Sequence, residues 1–550
     1  MTLSGTPVVP GVGVGPVVVT SERVEAPADE PYVDRDTTVA SVAAASRLVA
    51  DRLTARAAHA SGAAAEVLQA TAAMARDRGL ATFVAKHADA SGPARAMTAA
   101  VAELAAMFEA AGGLMAERVT DLHDVRDRVV AEVLGLPEPG VPNPDVPSVL
   151  FADDLAPADT AGLDAERITA IAIRLGGATS HTAIIARQLG IPCVVGVHDL
   201  PLDRSAATAL VDGTTGQVLI DPDAADAERR AAADAERRAA SAAWTGPGAT
   251  RDGHAVQVLA NVQDAAGAVR AAAEPIEGFG LYRTELSFLD RSTEPTVDEQ
   301  AEIYRAVLDA ADTHKVVVRT LDAGSDKPLA FADMGTEPNP ALGVRGLRIA
   351  TERPELLDHQ LDAIAAAAAQ SSADVWVMAP MVAVVSEAVD VAARIRQRGL
   401  RAGVMIETPS AALHADRLLQ HVDFVSIGTN DLSQYTFAAD RMAASLSHLT
   451  DPWQPALLTL VASVAEAGER AGKPVGVCGE AAADPLLACV LVGLGVTSLS
   501  CAASAVRSVG AMLATVTLEQ CRQAAQAALD ADDPADGRTR VRAALAPRDL

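Results

Sequence analysis

Three observations predict a multidomain α/β chain. They are eight short apolar strand candidates separated by helical segments after residue 249, a long Ala-rich stretch of helical period before residue 135, and short strands around one clear helix between them. The predicted architecture is a small α/β domain with an inserted helical bundle, followed by a C-terminal (β/α)8 TIM barrel. The 550 residues leave room for three to four domains. Half of the chain is apolar but only 3% is aromatic, so the cores must be aliphatic.

Composition narrows the function classes. With 45 basic and 72 acidic residues the net charge is −27, so the surface as a whole repels nucleic acid and anionic membrane, although a basic pocket remains open. Five cysteines, Cys193, Cys478, Cys489, Cys501 and Cys521, provide neither a disulfide framework nor a metal-ligand spacing, which points to a reducing compartment, the cytoplasm. Only four lysines occur, Lys86, Lys315, Lys327 and Lys473, against 41 arginines, so a lone Arg is a weak signal.

The opening MTLSGTPVVPGVGVGPVVVT lacks a basic leader and is broken by Gly and Pro, so it reads as a strand and not as a secretory signal. From 36 to 134 apolar residues recur at three and four, giving a bundle that ends at LGLPEPGVPNPDVP, with five prolines in fourteen residues. SVLFA, ITAIAI, PCVVG, TALVD and QVLID then read as strands, and the opening strand joins them. The bundle is thereby inserted between two halves of one domain, which would bring its two ends close together. The expected boundaries are 1–22 with 144–222 for the α/β domain and 23–143 for the bundle. An exposed linker helix follows at 223–248, where Glu and Arg are spaced for i,i+3 and i,i+4 pairs, and the barrel takes 249–550.

The barrel strands are expected at VQVLAN, GFGLYR, VVVRT, VWVMAP, AGVMIE, FVSIG, PVGVCG and SLSCA, with insertions in the second and third crossovers. The uncharged run from Pro485 to Val506 contains glycines and serines, and reads as helix, turn and strand in place of a membrane span.

Polar residues stand at the strand ends, where such barrels collect their chemistry: Asn261, Arg283, Glu285, Arg319, Asp322, Glu407, Asn430, Asp431, Cys478 and Glu480. Arg283, Arg319, Arg345, Arg348 and Arg441 are candidate clamps for phosphate and carboxylate oxygens. LDAGSDKP places Asp322, Asp326 and Lys327 in a loop after a strand, either a solvated turn or a site. Glu407 and Asp431 end neighbouring strands as hard oxygen donors suited to Mg²⁺, the alternative being ion pairs with nearby arginines. Asn430 is a candidate donor to a phosphate oxygen. Cys478 reads as proton donor, nucleophile or inert buried thiol, and the other four cysteines as small core residues.

In the α/β domain, GGATSHTAIIARQLG sets a flexible Gly pair before a helix start that Thr179 or Ser180 caps. His181 then lies in the first turn, where free N–H groups favour an attached phosphoryl group, so it is a bland surface residue or a nucleophile. Ala183, Ile184, Ile185, Ala186 and Leu189 are expected to bury the other side of that helix.

These motifs together resemble Enzyme I of the phosphotransferase sugar-uptake system, the phosphoenolpyruvate-protein phosphotransferases. The resemblance runs through PVVPGVGVGPVVV, LHDVRDRVVAEVLG, DLAPADTA, GGATSHTAIIAR, GFGLYRTELSFLDR, VRTLDAGSDKP, NPALGVRGLRI, VMIETPSAA, FVSIGTNDLSQYTFAADR and GVCGEAAADP. It implies a swivelling phosphohistidine domain whose His181 takes the phosphoryl group from phosphoenolpyruvate at the barrel and presents it to the phosphocarrier protein HPr, which docks on the bundle. It also implies that Thr160 bonds the reactive imidazole and that Arg283, Arg319, Asn430 and Arg441 hold substrate oxygens, with Lys327 and Arg345 in support. Glu407 and Asp431 would ligate Mg²⁺, and Cys478 would protonate the enolate to pyruvate. A homodimer through the barrel is expected, with no nucleic acid and no membrane span.

The related ATP-dependent dikinases and synthases require a further ATP-binding domain, for which these residues leave no room, and no sensory domain of the nitrogen-linked variant is expected. An inactive regulatory or scaffold relative is the alternative. Two departures stand out: docking residues of the bundle do not carry over, and Cys501 replaces a larger apolar residue in the last strand.

Overall fold

The computed structural model describes all residues except 21–23, 59–62, 112–117, 137, 142–143, 156–162, 164–166, 178–179, 204–206, 289–290, 325–328, 330, 332–334, 336, 442, 444–445 and 547–550; in addition, the side chains of 63–67, 111, 181, 184 and 188 are not described. The chain divides into two compact units, Met1–Glu236 and Arg237–Leu550.

The first unit contains a sheet of eight strands: β1 (Thr2–Ser4), β2 (Thr6–Val9), β3 (Val12–Val19), β4 (Ser148–Ala152), β5 (Ile168–Ile173), β6 (Cys193–Val195), β7 (Thr208–Asp212) and β8 (Gln217–Ile220), in the order β1-β8-β7-β3-β4-β5-β6-β2. The opening segment is thus three strands where one was expected. β3 to β6 run parallel, whereas β7 and β8 form an antiparallel edge with β1. Gly13 is required in β3 because a Cβ there would collide with the backbone of Thr169.

The bundle forms the crossover between β3 and β4 and contains, among the described residues, the helices Arg35–Ala57, Ala63–Ala75, Arg78–His87, Pro93–Ala111 and Val119–Leu134. β3 and β4 are neighbouring parallel strands, with Val19 opposite Phe151 and β4 starting at Ser148, so the chain leaves the sheet and returns to it a few residues apart in register. Its core is the aliphatic one that the composition demands, with Val42, Ala45, Val49 and Leu53 on one face of the first helix. Arg128 is fully buried in the last helix, and its guanidinium is compensated by Asp124 at 2.9 Å and Glu138 at 2.5 Å. That explains the charged LHDVRDR motif as packing. The helix Ala224–Ala243 is mostly exposed; Ala227 and Asp234 are its buried residues.

In the second unit β9 (Gln257–Val262), β10 (Gly278–Arg283), β11 (Lys315–Arg319), β12 (Asp374–Ala379), β13 (Arg401–Ile406), β14 (Phe424–Ile427), β15 (Val475–Val477) and β16 (Ser498–Cys501) close into a barrel, every neighbouring pair parallel. All eight expected strands are present. Period-two alternation divides their side chains: Val316, Val318, Val377, Val404 and Ile427 pack outward into the helical layer, while Leu281, Val317, Met378, Met405, Phe424 and Cys478 pack inside. The longest connections are residues 320–373 and 428–474, and the second crossover, residues 284–314, is also longer than the remaining ones, so the expected insertions in the second and third crossovers are present, with a further long connection after β14. Among the described residues no helix is long and apolar enough to cross a membrane.

Candidate functional site

The C-terminal mouth of the barrel gathers charge because strand after strand ends there in a polar residue. Arg283 closes β10 and Arg319 closes β11, Glu407 follows β13, and Cys478 follows β15. Asn430 and Asp431 occupy the first turn of the helix Thr429–Phe437 directly after β14.

Two arginines are locked among carboxylates. Arg319 donates to Glu285 at 2.6 Å and pairs with Asp322 at 3.1 Å. Arg345 makes a forked contact to Asp322 at 3.0 and 3.1 Å, and reaches Asp431 at 3.3 Å and the Tyr435 hydroxyl at 3.4 Å. Burial works against both charges. For Arg319 it is outweighed by Glu285, Asp322 and Glu407, for Arg345 by Asp322 and Asp431, so both stay firmly protonated. Arg441 is half-buried, 3.9 Å from the other Asp431 oxygen. Arg283 is exposed, and its guanidinium makes no hydrogen bond or ion pair among the described residues.

Glu407 is buried and its Oε1 accepts the Met381 N–H at 2.6 Å. Met381 holds a left-handed φ of 60°, a conformation costing a non-glycine residue on the order of 1 kcal/mol, and thereby aims that N–H at the carboxylate. Burial, reinforced by Asp322 and Asp431, pushes the Glu407 carboxyl up to about 8. The Asn430 Oδ1 accepts the Glu480 N–H at 2.9 Å, which leaves its amide hydrogens available as donors. Cys478 is buried, with its thiol 3.6 Å from the Ile427 carbonyl. Burial raises its pKa, so the sulfur keeps its proton at neutral pH.

In the first unit, Gly176 turns with a φ of 81°, and Ser180 caps the helix His181–Leu189 by accepting the Ala183 N–H at 3.3 Å. His181 is the first residue of that helix, as the sequence predicts; its side chain lies outside the described set. Ala183, Ile185 and Ala186 are buried, but Leu189 in the last turn is exposed, a correction to the expected apolar face. Thr160, Thr179, Asp326 and Lys327 also lie outside the described residues. Cys193, Cys489, Cys501 and Cys521 are buried and free, as small core residues should be.

The structure therefore brings together Arg319, Arg345, Glu407, Asn430, Asp431, Arg441 and Cys478, with Arg283 on the rim. Sequence reasoning missed Met381, Tyr435 and Gln360. Tyr435 stood within the quoted IGTNDLSQYTF, and its hydroxyl also bonds the Ala341 carbonyl. Gln360 had no signal at all; its carboxamide joins the ends of β10 and β11 from the surrounding helical layer.

Comparison with known proteins agrees over the whole chain. Residues 237–518 match the family "PEP-utilising enzyme, PEP-binding domain", residues 144–216 "PEP-utilising enzyme, mobile domain", and residues 4–118 "PEP-utilising enzyme, N-terminal". The phosphoenolpyruvate-protein phosphotransferase of Streptomyces coelicolor is 50% identical over 550 residues, 99% of each chain. Proteins of the same name from Staphylococcus carnosus and Bacillus subtilis are 37% and 38% identical, covering 79% and 73% of each chain. Whole-length identity at this level, together with three consecutive domain matches, means that the chain belongs to the phosphoenolpyruvate-protein phosphotransferase family of PEP-utilising enzymes.

Proposed function

We propose that the chain transfers the phosphoryl group of phosphoenolpyruvate to its own His181 with release of pyruvate, and then passes it to a histidine of the phosphocarrier HPr, feeding sugar uptake. The observation that carries this reading is the barrel mouth, where arginines, an oriented Asn and paired acidic residues from separate strand ends converge in a chain of this family. Phosphoryl transfer needs charge neutralisation and positioning above all, and that set of groups supplies both.

Arg283, Arg319, Asn430 and Arg441 hold the oxygens of phosphoenolpyruvate, with Arg345 and Lys327 in support. Arg319 and Arg345 are kept in place by carboxylates before substrate arrives, so little reorganisation is needed. Cys478 keeps its proton and delivers it to the enolate carbon, which drives the product to the ketone. His181 accepts the phosphoryl group at a helix start whose free N–H groups favour negative charge, and Thr160 orients its ring.

The donor set fits Mg²⁺. Glu407 and Asp431 follow neighbouring strands, and the Glu407 Oε2 accepts no hydrogen bond among the described residues. The Glu407 carboxyl is pushed up by burial and by Asp322 and Asp431 and only partly stabilised by Arg319, so added positive charge there would favour its ionised form. Among the described residues no three acidic, His or Cys groups form a cage, which suits an ion that keeps most of its ligands from water and substrate. When bound, Mg²⁺ would neutralise charge on the transferring group.

The accompanying domain division is 1–22 with 144–222 for the phosphohistidine domain, 23–143 for HPr docking, 223–248 as linker and 249–550 for phosphoenolpyruvate binding. We place the protein in the cytoplasm as a homodimer through the barrel; sedimentation that finds only monomer at tens of micromolar with Mg²⁺ and phosphoenolpyruvate would remove the dimer. The function is tested by mixing the chain with phosphoenolpyruvate, Mg²⁺ and HPr. Pyruvate and phosphorylated HPr should accumulate together, and formation of neither would overturn the reading.

A further inference from the structure

Behind the barrel mouth lies a polar chain buried in an otherwise apolar layer. Gln360, on the helix Pro354–Ala368, is 1% exposed, while Thr284, Tyr304 and Gln300 are completely buried. The Gln360 amide donates to the Thr284 hydroxyl at 3.0 Å and to the Tyr304 hydroxyl at 3.1 Å, and its Oε1 accepts the Leu321 N–H at 2.8 Å. Thr284 in turn donates to the Arg319 carbonyl at 3.0 Å. Tyr304 donates to Gln300 at 3.1 Å, and Gln300 donates to the Pro295 carbonyl at 2.9 Å.

Every proton in this chain has one direction. Leu321 can only donate to the carboxamide, so the Gln360 oxygen must face it and both amide hydrogens must face the hydroxyls. Thr284 accepts from Gln360, and therefore its own proton is free for Arg319. Tyr304 is held protonated because burial drives its pKa well above the usual value, which keeps the donor to Gln300 in place.

The residues fixed in this way are neighbours of the proposed substrate ligands. Thr284 lies between Arg283 and Glu285, and Leu321 lies between Arg319 and Asp322 on the chain. Glu285 then joins the two segments on the inner side by accepting from Arg319 at 2.6 Å and from the Asp322 N–H at 3.2 Å. The ends of β10 and β11 are thus clamped twice, by Glu285 inside the mouth and by Gln360 from the outer helix.

We propose that Gln360, acting through Thr284 and Leu321, is a positioning residue that sets the geometry of Arg283 and Arg319 toward phosphoenolpyruvate; this rests on the functional reading above. Arginines that grip the substrate before and during transfer contribute uniform binding, so their displacement raises KM more than it lowers kcat. A purely structural role has a different signature: a partly unfolded population lowers apparent kcat and leaves KM unchanged.

The test uses the full chain with HPr and follows pyruvate release for the wild type and for Thr284→Val, Thr284→Ser, Gln360→Glu and Gln360→Met. Thr284→Val conserves volume but removes the proton given to Arg319. It should raise the KM for phosphoenolpyruvate about ten-fold, the scale of one lost buried hydrogen bond, with kcat within about two-fold. Thr284→Ser should restore the wild-type KM. Gln360→Glu keeps the acceptor for Leu321 but loses both donors, and should fall between the wild type and Gln360→Met. An unchanged KM in Thr284→Val and Gln360→Glu, with or without a loss of kcat, would overturn the positioning role while leaving the functional reading intact. A wild-type chain that releases no pyruvate would instead remove the reading itself, and this inference with it.

Discussion

The two ends of the barrel both carry cations but hold them in different ways. At the C-terminal mouth, Arg319 and Arg345 are surrounded by Glu285, Asp322, Glu407 and Asp431, and their charges are reinforced. At the opposite end, Lys315 donates to the neutral Gln257 side chain at 2.5 Å and lies 4.9 Å from the centre of the Trp376 ring, with Arg401 at 5.0 Å from the same ring. Burial lowers the Lys315 pKa to about 8, only partly opposed by Asp374 and Glu277. Small residues such as Gly280, Gly476 and Ser498 leave only a small hollow inside the barrel next to Lys315, Trp376 and Phe424.

The difference teaches what each end is built for. A network of opposite charges can exchange one partner for a substrate oxygen or a metal without stranding a charge, because its energy is shared among several contacts. A lysine on an aromatic face with a neutral amide has no such partner to exchange, and its contribution is to plug the end of the barrel.

Substitutions at the mouth should break this contrast most strongly. Asp431→Asn removes the carboxylate shared by Arg345, Arg441 and the proposed Mg²⁺, so kcat/KM should fall about 1,000-fold and be partly rescued by excess Mg²⁺ in steady-state assays. A loss under ten-fold would show that the network tolerates neutralisation. Cys478→Ala should slow pyruvate release about 100-fold yet leave phosphoenolpyruvate affinity within about two-fold, since a thiol contributes little to binding a polyanion. Fast, stereospecific protonation in that variant would move the proton to Glu480 or water.

Lys315→Met should have the smallest effect, with kcat/KM within about two-fold of the wild type. Its signature is in stability. The folded pKa of about 8 lies below the unfolded value near 10.5, so between these pH values the unfolded chain binds more protons and folding stability rises with pH. Urea unfolding should show the wild type gaining on Lys315→Met as pH increases through that window. Parallel pH dependence of the two proteins would mean that Lys315 is solvated and that the contrast between the ends is weaker than described.

The contrast was half legible in the sequence. Short apolar runs locate all eight barrel strands, and the polar residues at six of their ends place Arg319, Glu407, Asp431 and Cys478 at one mouth. The partners of those residues were not legible. Arg319 read as a free clamp, but it is engaged by Glu285 and Asp322, and such pairing depends on how connections fold back. Gln360 was invisible because a helical pattern does not separate a buried Gln from a solvated one. In the first unit, β1 and β2 do not separate from β3 in the sequence because segments this short carry no periodicity of their own. Leu189 read as core because the pattern continues to the end of its helix, although the final turn before Gly190 faces outward.

The central claim is that phosphoenolpyruvate phosphorylates the helix-start histidine. Incubating the wild type and His181→Ala with labelled phosphoenolpyruvate and Mg²⁺, then locating the label by peptide mapping under alkaline conditions, tests it most directly. The account predicts one acid-labile phosphoryl group on the peptide containing His181 and none on the variant. Full labelling of a folded His181→Ala protein would contradict it.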